Sequence, residues 1–233
     1  MKRLSYAFLS DVRYQWRYGF YFIYGFLTIC FIIVLRLLPD DWRQTALVAT
    51  LLADPALLGL FFIGGLIQLE RGEGILDALF SSPLRPAEYI LSKALSLGLI
   101  SEAVSVIVAL GSGVAGVRYA VLVPFVLLGS MCFTLLGLAV SVNLKSMNAF
   151  LSVDGLWEAV LLLPPLLLMF GVNFWPLEVF PGSVMLRLMQ AAAGVNAISV
   201  FPFILLIIWA VLAFWMALKR LKSALCKLGG GAA

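Results

Sequence analysis

Residues 69–93, LERGEGILDALFSSPLRPAEYILSK, interrupt a chain that is otherwise almost continuously apolar. Seven charged side chains fall in this stretch: Glu70, Arg71, Glu73, Asp77, Arg85, Glu88 and Lys93. Ile75, Leu76, Leu79 and Phe80 recur at helical spacing while Glu73 and Asp77 face away. The pattern predicts a helix of about two turns over 74–82, too short to persist alone in water. Pro83 and Pro86 end it, and the chain resumes as helix from Ala87, with Pro86 suited to the first turn. A connector between neighbouring helices needs only a few residues. The surplus length therefore reads as a surface on which something docks, its apolar stripe against a partner or the bilayer. The competing reading is an interfacial cap on the bundle.

Composition states what lies on either side. Of 233 residues, 63% are hydrophobic and only 12% charged, and mean hydropathy is +1.08. A soluble domain carries about a quarter charged residues, so this chain is a polytopic membrane protein. No cleavable signal peptide is expected, because Met1-Lys2-Arg3 leads into a mixed polar and aromatic stretch. Cys30, Cys132 and Cys226 are scattered and odd in number, and define no disulfide framework. The closing Gly-Gly-Gly-Ala-Ala, 229–233, reads as an expression scar.

A bilayer core of about 30 Å takes roughly 20 apolar residues per helix. Six such helices are predicted, near 19–38, 48–69, 90–116, 120–142, 150–172 and 197–218. The second has an alternative start at Asp54-Pro55, an N-cap followed by proline, which would leave 40–53 as a separate helix near the outer surface. Pro164-Pro165 should kink the fifth. With both termini inside, inner segments hold 12 of the 16 lysines and arginines, which places the termini in the cytoplasm. The net charge of +4 is then topology, and calls for no nucleic acid. Residues 1–18 read as an amphipathic interfacial helix or an aromatic anchor for the first span, and 19–228 as the six-helix domain. A short outer helix is expected near 182–193, lying on the outer leaflet or dipping into it.

The stretch 69–93 resembles the cytoplasmic segment of ABC-2-type transporter permeases: an acidic-basic-glycine patch, a short helix, a Ser-Pro-Leu turn, then a helix opening near a lysine. Within that group YGFYFIYGFLTICFIIVLRLLPDD, DPALLGLFFIGGLIQLERGEG and SPLRPAEYILSKALSL are similar to small fluoroquinolone-export permeases. The resemblance implies an all-α membrane protein of ABC-2, or type V exporter-like, architecture: six transmembrane helices, an N-terminal amphipathic helix and a cytoplasmic coupling helix. It implies that Glu70, Arg71, Glu73, Ile75, Leu76, Leu79, Phe80 and Pro83 couple the chain to a separate cytoplasmic ATPase. Two ATPase subunits, binding ATP and Mg, would drive two permeases, the second identical or a paralogue. Glu70, Arg71 and Glu73 would sit where the second span meets the amphipathic N-terminal helix. The localisation implied is a bacterial-type inner or plasma membrane.

Other motifs carry less. No G-x-x-x-x-G-K-[ST] is present, so no phosphate-cradling loop and no cofactor is expected in this chain. Gly111, Gly113 and Gly116 match G-x-G-x-x-G without a preceding strand, and read as close helix packing. The absence of histidine excludes Ser-His-Asp triads, zincin motifs and histidine-ligated metals. Asp54, Glu102, Asp154 and Glu158 lie within apolar spans, where a charge costs at least about 2.5–3.5 kcal/mol. Glu102, Asp154 and Glu158 are candidates for lining a substrate cavity, against the plainer reading of local structure. Phe61, Phe62 and Met169 are candidates for an apolar binding surface, against packing or lipid contact.

The function expected is the permease subunit of an ATP-binding-cassette exporter moving a hydrophobic or amphiphilic small molecule, drugs among them. An ion-coupled secondary transporter, a haem-export-type permease and a non-transporting membrane scaffold remain alternatives.

Overall fold

The structure is a computed structural model describing residues 2–54, 59–81, 84–144, 146–172 and 174–229. The regular structure among the described residues is all helical, with no strand. α1 (Lys2–Arg17) is separated from α2 (Phe20–Leu37) by Gly19, whose φ of 76° breaks the helix between the two. α3 (Asp40–Ala53) and α4 (Gly59–Gly72) follow, then the short α5 (Ile75–Ser81). α6 (Pro86–Ser112), α7 (Tyr119–Ser141) and α8 (Met147–Met169) are long apolar helices. A 3-10 turn (Trp175–Val179) leads into α9 (Pro181–Ala192), and α10 (Val200–Gly229) ends the chain.

Five of these helices are long and apolar enough to cross a membrane: α2, α6, α7, α8 and α10. The described parts of the expected second span, 48–69, lie in α3 and α4, on either side of residues 55–58, which are outside the described residues. Asp54 closes α3, while Pro55 lies outside the described residues. α8 runs unbroken through Pro164 and Pro165.

α7 is the central helix, packed on α4, α6 and α10. Its small residues set the spacing: a Cβ at Gly137 would lie 2.9 Å from the Leu60 carbonyl oxygen, so α4 and α7 cross at backbone contact, as small residues allow in membrane bundles. α9 dips into the bundle. Met185 fills the space beside Gly129, ten residues into α7 and therefore about 15 Å along it. The other end of α9 is held where α7 begins, by the Arg118 N–H donating to the Ala192 carbonyl at 2.8 Å. The G-x-G-x-x-G match is a helix end: Gly111 packs against Ile32 of α2, and Gly113 closes α6 with φ 76°.

Candidate functional site

The polar stretch that interrupts the sequence folds back on its own bundle. Tyr89, Ser92, Lys93 and Ser96 follow the i, i+3, i+4, i+7 pattern and share one face of α6. That face meets Asp11 and Gln15, one turn apart on α1, and Glu70 near the end of α4. The Lys93 ammonium donates to Asp11 Oδ1 at 2.6 Å and to Glu70 Oε1 at 2.5 Å. Tyr89 donates its hydroxyl to Glu70 Oε2 at 2.5 Å, and Ser92 donates to Asp11 Oδ2. Gln15 Nε2 donates to Ser96 Oγ at 2.8 Å. All seven residues are buried. Each carboxylate oxygen of the pair thus has a donor, the condition under which buried charges offset their desolvation.

The cluster ties α1, α4 and α6 together where the 69–93 hairpin leaves the bundle. Tyr18 donates its hydroxyl to the exposed Glu73 and extends the link to the end of α1. Burial, reinforced by the Glu73 carboxylate, pushes the Tyr14 hydroxyl above its ordinary value and keeps it neutral. Arg71 Nη2 donates to the Val142 carbonyl at 2.6 Å, and Gln68 Nε2 to the Leu144 carbonyl at 3.1 Å. These carbonyls follow the C-terminus of α7, where backbone acceptors lack helical partners and cations are favoured.

Gly74, with φ 72°, turns the chain from α4 into α5. Leu76 and Leu79 are buried and Ile75 is half-buried, whereas Ala78 is exposed. The apolar stripe expected to meet a partner or the bilayer therefore packs on the chain's own helices. α5 lies against α4 and α10. Ala78 lies on the exposed flank of that stripe, beside Ile75 and Leu79 at the open edge of a cavity. The side chains of Asp77 and Phe80, and Pro83 altogether, lie outside the described residues. α6 then opens with Pro86 at its first turn and Glu88 Oε2 accepting the Arg85 N–H at 2.9 Å, a capping box. A cavity of about 230 Å3 remains among α1, α4, α5 and α6, with Asp11, Tyr14, Glu70 and Tyr89 in its lining.

The intramembrane candidates separate into groups. Asp54 is buried and accepts hydrogen bonds at Oδ2 from Ser101 (2.8 Å) and Ser105 (3.0 Å), one turn apart on α6. Glu102, half-buried on the same helix, makes no hydrogen bond to a described hydroxyl. Asp154 is buried in α8 with no hydrogen-bond partner among the described residues, and Glu158 lies one turn further on, half-buried. Phe61 borders the same region, its ring 5.9 Å from that of Phe150, one turn before Asp154. Phe62 is buried and stacks on Tyr24 at 4.7 Å in the core. Met169 ends α8, half-buried. Asp154 and Glu158 thus share α8 with Phe150, which Phe61 of α4 meets, while Phe62 touches Phe61 edge-on at 6.0 Å and Glu102 lies on α6. Among the described residues, no group of three or more His, Cys, Asp or Glu is placed to hold a metal.

Lys93, Asp11, Gln15, Tyr89, Ser92 and Ser96 were not among the residues singled out from sequence. The available signal was a lysine and two serines on one face of an otherwise apolar helix, with Asp11 and Gln15 one turn apart on an amphipathic one.

The sequence that builds this arrangement resembles known proteins over most of its length. The model of a family described as the fluoroquinolones export permease protein family matches residues 2–225. Fluoroquinolones export permease proteins from two strains of Mycobacterium tuberculosis are each 31% identical over 195 residues, covering 82% of this chain and 81% of theirs.

Proposed function

The chain belongs to the fluoroquinolones export permease protein family, and from that premise we propose that it is the membrane half of an ATP-driven exporter. It is a multi-pass, all-helical membrane protein of a permease family. In the proposed complex α3 and α4 together make a sixth crossing, and both termini lie in the cytoplasm of a bacterial-type inner membrane. Two ATPase subunits, holding ATP and Mg, grip the hairpins of two permeases, identical or paralogous. The cargo is a hydrophobic or amphiphilic small molecule, a fluoroquinolone among the candidates, as in the names of the relatives.

The observation that carries this reading is the Asp11–Lys93–Glu70 cluster. A push on α5 has to reach the spans without being lost in bending. Buried, fully paired charges join the hairpin's two stems, α4 and α6, to α1 at its base, and Leu76 and Leu79 hold α5 on the bundle. A coupling helix needs such a mounting; a loose connector does not.

The test separates the mounting from the outward face. With the ATPase subunit co-expressed, Ala78→Arg on the exposed flank of α5, at the open edge of the cavity, should abolish co-purification of the ATPase and drug-stimulated hydrolysis while leaving the permease's melting temperature unchanged. Leu79→Asp should lower the melting temperature as well, because that side chain is buried. An Ala78→Arg protein that still captures and stimulates the ATPase would remove the coupling assignment.

A further inference from the structure

We infer that the cavity between α7, α8 and α10 binds an amphiphile with one anionic head and an apolar, ring-bearing body. The cavity holds about 420 Å3, within the range of about 300–1,000 Å3 typical of small-molecule sites. A phospholipid with two tails and a headgroup outsizes it, whereas a single-bodied ligand fits. Its lining is apolar apart from one end. Phe180 and Pro181, where the dipping helix α9 begins, stand towards the far side, and Asn143 and Arg220 border it at the ends of α7 and α10 that carry the chain's basic residues.

Arg220 supplies the specificity for charge. Arg36, Arg43, Arg71, Arg118 and Arg187 each spend their guanidinium on a carbonyl or carboxylate of this chain. Arg220 borders the cavity and makes no hydrogen bond or ion pair with the described residues, and neither does the Asn143 side chain. A guanidinium beside an amide is a donor pair suited to a carboxylate. The apolar body has a matching surface. Trp157 of α8 and Trp209 of α10 both line the cavity, and aromatic faces favour flat rings over aliphatic chains. Trp209 precedes Arg220 by eleven residues, about 16 Å along α10, the length of an extended drug-sized molecule. Trp157 and Met216 are both lining residues and exposed, so the ligand enters sideways, from the membrane. As cargo recognition this site rests on the export reading; as binding it does not.

The test uses the full chain in nanodiscs without ATPase, titrated with 1-pyrenebutyrate and with uncharged 1-pyrenebutanol, empty nanodiscs giving the partition background. Saturable binding of the butyrate is expected. Arg220→Gln should weaken it about tenfold and leave the alcohol unchanged. Arg220→Lys should retain part of the preference as a point charge. Leu136→Trp, or Val140→Phe should the first not fold, should abolish binding of both probes by filling the space. The inference fails if Arg220→Gln leaves the butyrate-to-alcohol ratio as it was. It fails equally if the filling variant binds normally, or if native mass spectrometry finds a phospholipid retained by wild type and lost from that variant. None of these readouts involves the ATPase, so the site and the coupling helix stand or fall separately.

Discussion

A Cβ added at Gly64 of α4 would lie 1.9 Å from Cε2 of the Phe150 ring on α8. Phe150 is fully buried, so its ring has no free volume into which to retreat. The absent side chain of one residue is therefore the seat of the other, and it fixes how closely α8 approaches α4. Gly64→Ala should destabilise the folded protein by about 1–3 kcal/mol, as overpacking of a filled core does, read as a lower melting temperature in detergent. Combining it with Phe150→Leu should recover part of the loss. A Gly64→Ala protein that melts with wild type would mean that α8 is not seated on α4 in this way.

Lys93 stands between two carboxylates with almost no exposure. Removing its charge alone strands Asp11 and Glu70 beside each other in a buried site. Lys93→Met should cost about 3–5 kcal/mol, the range for one partner lost from a buried pair. Neutralising all three, as Asp11→Asn, Glu70→Gln and Lys93→Met, should restore most of the melting temperature, since no buried charge is left without a partner. The diagnostic result is the order: a triple variant less stable than the single one contradicts the cluster.

Much of this bundle was legible because long apolar runs can do little else in 233 residues. Four of the five long helices and α9 fall within a few residues of the helices expected, while α10 runs on to Gly229, eleven residues past the expected end at 218. The expected second span was harder, since 48–69 is apolar in sequence whether or not its helix is continuous, and the Ser101 and Ser105 hydroxyls that hold Asp54 lie on a helix nearly fifty residues away. The direction of α5 was also hidden: a stripe of Ile75, Leu76 and Leu79 looks the same whether it meets a partner or its own bundle. Lys93 counted towards charge asymmetry and the charged hairpin motif, and Arg220 only towards the asymmetry, with no partner assigned to either. Their surroundings are made by α1 and α4 in one case and by α7 and α8 in the other, and spacing along one helix carries no trace of either.

Arg71 and Gln68 meet the chain where α7 ends, donating to the carbonyls of Val142 and Leu144. This is capping from a neighbouring helix, and it gives Arg71 a structural task at the base of the hairpin. Arg71→Met with Gln68→Leu should lower stability by about 1–3 kcal/mol, since buried acceptors lose charge-assisted and neutral donors together. Amide hydrogen exchange should accelerate at 140–144 and stay slow in the middle of α7. Uniform acceleration along α7 would point to loss of packing, not of a cap.

Arg187 of α9 donates from Nη2 to Glu178 Oε1 at 2.5 Å, clasping the 3-10 turn to the dipping helix. The same turn is gripped from α10, where Trp209 Nε1 donates to the Val179 carbonyl at 2.8 Å. The ion pair is more than a third exposed on each side on average, so its share of stability is small, about 1 kcal/mol or less. Its geometric effect is larger, because it holds Phe180 and Pro181 against the cavity bounded by Arg220. Glu178→Gln and Arg187→Gln, singly and together, should give a coupling energy of about 0.5–1 kcal/mol in a double-mutant cycle. Each single variant should also raise the off-rate of 1-pyrenebutyrate, and reversing the pair as Glu178→Arg with Arg187→Glu should restore it. Additive single effects with unaltered probe kinetics would mean that the clasp and the cavity are independent.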